Sequence, residues 1–190
     1  MNILYLIYVI NIKNAIWRMI KNFYQFVNEK KESYGNNILE FLKKYVSITD
    51  GYQKRYYEIM LDDAKIIKCS SMHDVFSEDE IKTIKRFANP KVKQCYRNSY
   101  LLQSQCDIPD ILYCEGYTSY MGLPIEHAFN KVGDKYIDIT SEIVLKKDVA
   151  DDEYVLLGEY DEKKVREIIT KNGYYGGVYN KLLLDRIKKG

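Results

Sequence analysis

A thiol, an imidazole and a carboxylate follow one another in the second half of this chain: Cys95 in KQCYRNSYLL, His127 in GLPIEHAFNKV and Asp138 in GDKYIDIT. Together these groups suit acyl transfer. A thiolate attacks a carbonyl carbon, an imidazole relays the proton, and a carboxylate fixes the ring's tautomer. Cys95 falls at or near a helix start, where unpaired amide protons and the helix dipole favour thiolate over thiol. Lys91, Lys93 and Arg97 add positive charge nearby. A cysteine alone is more often a packing residue than a nucleophile, so the weight falls on His127. It lies in the run Ile125 to Val132, which reads as a strand, and Gly133-Asp134 then signals a two-residue hairpin turn. With Val132 and Lys135 flanking that turn, Phe129 lies opposite Asp138 and His127 opposite Thr140. His127 and Asp138 then share a face on a diagonal, about 7–8 Å apart at the backbone and within side-chain reach. A slip of one residue would turn Asp138 to the other face.

The elements that must position these groups change character along the chain. Leu4 to about Lys30 carries apolar residues at helical spacing, and further helices are expected over Asn37 to Val46 and Tyr52 to Ile67. Ser77-Glu78-Asp79-Glu80 has the form of a capping box, opening a helix that runs to Ala88 and stops at Asn89-Pro90. The cysteine-bearing helix starts between Lys93 and Cys95 and passes Leu101-Leu102. Three β-rich runs follow, Ile111 to Tyr120, Ile125 to Val132 and Lys135 to Ile139, and Glu153 to Leu157 is a further strand. Helices return over Asp161 to Lys171, stopped by Asn172-Gly173, and over Val178 to Lys188. This predicts one α+β domain: a helical region 1–90, a catalytic helix with an antiparallel sheet over 91–160, and C-terminal helices over 161–190.

The bulk properties exclude several classes. The 190 residues are 46% hydrophobic and 29% charged, with a net charge of +2 and mixed signs, unlike the basic face of a nucleic-acid binder. The 19 tyrosines suit a core rim, a polar cleft or a partner surface. The four cysteines form no CxxC pair and no zinc spacing with His73 or His127, so no metal or other cofactor is expected. The apolar NILYLIYVI is interrupted by Asn11, Lys13 and Asn14, which argues for a buried amphipathic helix over a membrane span. A reducing, cytoplasmic setting follows. His73 reads as a loop residue; Cys69, Cys106 and Cys114 read as packing thiols. GYYGG reads as a possible glycine hinge, and DDEYVLLGEYDEKK as a solvated face around one strand.

The segments QCYRNS, ILYCEGYTS, GLPIEHAFN and KYIDIT resemble papain-like cysteine enzymes of the transglutaminase-like branch, in the style of small bacterial and phage members. The resemblance covers about Lys93 to Thr140. It implies a Cys-His-Asp triad in that chain order, with Cys95 as nucleophile, His127 as base and Asp138, on the next strand, as orienting acid. The expected activity is a hydrolase or acyl transferase working on a peptide, protein or small amide through a thioester. The backbone amide of Cys95 and the side chain of Gln94 are candidates to stabilise the oxyanion. Asn98 could face the site or bond within its helix. Glu115 and Tyr117 could border the cleft, with a solvated or structural role for Glu115 equally open. The competing expectation is a catalytically idle binding protein on the same scaffold, an antagonist of a host factor. Either way the helical region before Asn89 is where a protein partner would sit.

Overall fold

The computed structural model describes residues 38–120, 123–150 and 152–189, all within one compact unit. The expected helix from Leu4 to Lys30 lies outside them. The elements in chain order are α1 (Ile38–Ile48), α2 (Gly51–Asp63), β1 (Lys65–Ile67), α3 (Glu78–Phe87), α4 (Cys95–Gln105), β2 (Leu112–Tyr120), β3 (Leu123–Val132), β4 (Lys135–Ile137), β5 (Tyr154–Tyr160), α5 (Glu162–Asn172) and α6 (Val178–Lys189). A 3₁₀ turn at Met72–Asp74 and a π-turn at Thr140–Val144 complete them. The fold is α+β, with one antiparallel sheet ordered β1-β5-β2-β3-β4. Among the described residues no helix is long and apolar enough to cross a membrane.

Local chemistry explains most boundaries. Ser77 accepts from the Glu80 amide while the Glu80 carboxylate takes the Ser77 amide, closing the expected capping box. Gly173 ends α5 at φ 75°, in the left-handed region where it has no Cβ to strain. Two expectations change. The helix through Tyr52 stops at Asp63 instead of running to Ile67, because Ala64 is extended and Lys65–Ile67 pairs with β5 as an edge strand. The β-branched pair Ile66-Ile67 suits that pleat better than a helical turn. The run DDEYVLLGEYDEKK is not a solvated face: β5 lies between β1 and β2, with Tyr154, Val155 and Leu156 buried.

The sheet has two covered faces. One carries Cys114, Phe129, Tyr154 and Leu156, which pack with Cys69 and Val149. On the other, Tyr113 and Ala128 pack with Val165, Ile168 and Val178 of α5 and α6, and Val155 meets α1, α2 and α6. A third cluster joins Ile81 and Ile84 of α3, Leu102 of α4, Ile137 at the end of β4 and Ile139 just after it. Each fully buried aliphatic or aromatic side chain here contributes about 1.5–3 kcal/mol of burial.

Directly opposite His127 in β2 is Gly116, where the β2–β5 register shifts. A Cβ at Gly116 would stand 1.8 Å from the Val155 carbonyl oxygen. That is a backbone atom that no rotamer change can move away. Gly116→Ala is therefore expected to force β5 off β2 and cost about 3 kcal/mol or more, read from the urea midpoint.

Candidate active site

The hairpin forms in the expected register: Val132 pairs with Lys135, Lys131 with Tyr136 and Asn130 with Ile137. The ladder then stops, and Asp138 is not strand-borne as expected. Its Oδ1 accepts the amide protons of Thr140 at 2.9 Å and Ser141 at 3.0 Å, which turns the chain out of β4 into the π-turn. The diagonal reach survives that turn. Asp138 Oδ2 lies 2.7 Å from His127 Nε2, and both residues are buried. The same oxygen accepts from Ser141 Oγ at 2.6 Å and Tyr154 Oη at 2.9 Å. Five donors thus hold one carboxylate, which keeps a buried charge in place.

The early end of β4 leaves the edge of β3 beyond Asn130 without a neighbouring strand, and the start of α4 occupies that gap. The Cys95 sulfur sits against the His127 ring and near the backbone amides of Ala128 and of Tyr96, the latter in the first helical turn, and all three favour its thiolate. Because Asp138 occupies Nε2, Nδ1 is the ring nitrogen left to face the sulfur. Cys95 is partly exposed, whereas Cys69, Cys106 and Cys114 are buried, and all four are free.

The electrostatics follow from these contacts. Burial would raise the Cys95 thiol, but the His127 hydrogen bond and charge, with the two amides, hold it below its ordinary value of 9.0. Burial alone would lower His127, but the charge and hydrogen bond of Asp138, with the Cys95 sulfur, raise it to about 10. Burial would likewise raise Asp138, and the His127 charge and hydrogen bond, with Ser141, bring it down to about 2. All three shifts therefore run toward the charged forms, thiolate, imidazolium and carboxylate. The other three thiols are raised by burial. The cationic field expected from the lysines is a minor contributor: Lys91 and Lys93 are exposed, and Arg97 reaches back toward the Asn89 carbonyl.

Comparison of the chain with family models, curated proteins and solved structures finds no match. The geometry therefore stands on its own residues.

The supporting residues divide. Gln94 precedes α4 and is exposed; its carbonyl accepts the Asn98 amide at 2.8 Å, while its side chain makes no hydrogen bond among the described residues and is free to donate. Asn98 is a buried strap. Its Oδ1 accepts from Lys91 N at 2.9 Å, while Nδ2 donates to Lys91 O at 2.8 Å and to Thr140 Oγ1 at 3.1 Å. One side chain thus ties the loop before Cys95 to the turn after Asp138. Asn98→Ala removes all three bonds and is expected to cost about 2–3 kcal/mol. It should also raise the apparent thiol pKa of Cys95, a shift that a purely structural role would not produce.

Glu115 and Tyr117 do not border the site. They lie on the sheet face opposite His127, because Gly116 between them is the residue that faces it. Glu115 is buried and accepts from Tyr113 Oη and the amides of Val178 and Tyr179, capping the start of α6. Tyr117 packs with Met60 and α2. Sequence reasoning missed Ser141 and Tyr154. The Asp-x-Thr-Ser pattern at 138–141 was a usable signal for the first, since a carboxylate two or three residues before such amides commonly caps them. His73 is exposed in the 3₁₀ turn, with Nδ1 3.1 Å from Glu78 Oε1. Among the described residues no group of three or more His, Cys, Asp or Glu side chains is placed to hold a metal ion. A cleft of about 750 Å³ bounded by Asp62, Lys65, Tyr160 and Arg186 includes none of the triad. Its charged lining comes chiefly from α2, β5 and α6.

Proposed function

We propose that this protein is a cysteine-dependent hydrolase or acyl transferase acting on an amide or related acyl bond of a peptide, protein or small amide. The observation that carries the reading is the buried Asp138–His127 hydrogen bond of 2.7 Å, with the remaining ring nitrogen turned to the one partly exposed thiol. In this reading the Cys95 thiolate attacks the carbonyl carbon, and the negative charge passes to its oxygen. The first-turn amide of Cys95 and the free amide of Gln94 are the donors proposed to receive it. His127, held as imidazolium by Asp138, gives its proton to the leaving amine, and a thioester results. Water or an amine then attacks the thioester, with His127 taking the proton. The order helix-borne Cys, strand-borne His, then Asp supports a place in the papain-like, transglutaminase-like branch, and four free cysteines suit a reducing, cytoplasmic setting.

An idle binding protein on this scaffold is the other reading. Maintaining a buried charge on five donors has no evident use there. Treating the folded protein with limiting iodoacetamide at neutral pH and mapping the adduct decides between them. The proposed chemistry gives carboxamidomethylation at Cys95 well ahead of a free thiol's rate. Reaction at Cys95 no faster than at free cysteine favours the binding reading.

A further inference from the structure

Tyr96 follows the nucleophile directly in α4, and its hydroxyl donates to Glu126 Oε2 at 3.2 Å. Glu126 precedes His127 on β3, is exposed and turns to the opposite sheet face, where Tyr96 of α4 meets it, two residues before Ala128, whose amide favours the Cys95 thiolate. Two strand residues span about 7 Å, so the Glu126 backbone stands about one side chain's length from that amide. The Tyr96 ring is held in place: a Cβ on Gly176 would stand 2.6–2.9 Å from its atoms, so the glycine backbone lies against it. Tyr117 is the register partner of Glu126 across β2. Glu126 has no ion-pair partner among the described residues, and its Oε1 accepts no hydrogen bond there. Its negative charge also acts on the hydroxyls of Tyr56 and Tyr57. An unpaired carboxylate among tyrosine rings is suited to an ammonium or guanidinium group, through charge and ring face together.

We propose that Glu126, positioned by Tyr96, determines specificity at this site, selecting acyl donors that carry a lysine- or arginine-like cation next to the attacked carbonyl. This deepens the reading of Cys95 as nucleophile and rests on it. Such a site rejects acidic neighbours, because they would face Glu126 with like charge.

Methanethiosulfonates of differing charge test this without a known substrate. The Cys95 thiolate attacks the sulfenyl sulfur, a disulfide forms, and methanesulfinate leaves. Second-order rates are measured on the full chain with methyl methanethiosulfonate, its trimethylammonioethyl analogue and its sulfonatoethyl analogue, with the adduct mapped to Cys95. The cationic-to-anionic rate ratio is expected to fall about tenfold in Glu126→Gln, since one charge acts oppositely on the two reagents. It should fall further in Glu126→Lys, each charged reagent's rate being taken relative to that of the neutral reagent in the same variant. In the wild-type protein, added salt should compress the same ratio, a readout that needs no variant. Equal ratios in wild type and Glu126→Gln, with rapid neutral labelling, would overturn the specificity role and leave the nucleophile standing. Neutral labelling of Cys95 no faster than free cysteine would overturn both.

Discussion

Asp138→Asn is expected to slow acyl transfer by about 10³–10⁴-fold and to return Cys95 toward an ordinary thiol. The reason lies in the donors around the carboxylate. Oδ1 is fixed by two backbone amides, from Thr140 and Ser141, which cannot turn round. The asparagine carbonyl must take that position, which directs the amide NH₂ at His127 Nε2. Ser141 and Tyr154 can rotate their hydroxyls to accept, but the ring can accept only by giving up its Nε2 proton. The proton then sits on Nδ1, the imidazolium is lost, and no base faces the sulfur. The pH profile should change in a defined way. In the wild-type protein His127 stays charged up to about pH 10, so the alkaline limb of turnover begins near there. In Asp138→Asn the carboxylate charge is gone and burial is opposed by the Cys95 sulfur alone, so the ring should lose its charge at a pH well below that of the wild-type protein. Rates of p-nitrophenyl acetate hydrolysis from acid to alkaline pH check both effects. An unchanged alkaline limb would count against the role of Asp138.

Cys95→Ala should lower hydrolysis of the same ester by about 10⁵-fold or more, since the other two groups act only through the sulfur. The fold should persist. Cys95 opens α4 at the sheet edge, outside the buried clusters, and alanine is well tolerated in a first helical turn. A urea midpoint within about 1 kcal/mol of wild type, beside lost turnover, is the expected pair of results. Retained turnover would remove Cys95 from the mechanism, whatever the geometry around it.

Much of this arrangement was legible because a hairpin fixes its own register. Gly133-Asp134 set Val132 against Lys135, and from that pair the shared face of His127 and Asp138 followed by alternation alone. What alternation could not show was where β4 ends. Asp138 ends it by taking two local amides, and this opens the edge of β3 that the sulfur needs. Local side-chain bonding defeated the periodic reading there. Glu115 and Tyr117 were hard to assign for a related reason. Their facing depended on the β2–β3 register, which the Met121–Pro124 stretch did not specify. The depth of β5 was hidden because its charges flank the strand, while Tyr154, Val155 and Leu156 supply the core. Tyr154 in particular looked like one tyrosine among many, and its hydrogen bond to Asp138 joins residues that only the folded sheet brings together.

The most direct single measurement is the ultraviolet titration of the thiolate, taken as the difference between wild type and Cys95→Ala on folded protein. With the His127 charge and two amides favouring the thiolate, Cys95 should titrate below the ordinary thiol value of 9.0. Titration of Cys95 at or above 9.0 would mean that sulfur and ring do not share a proton, and the proposed mechanism would fail.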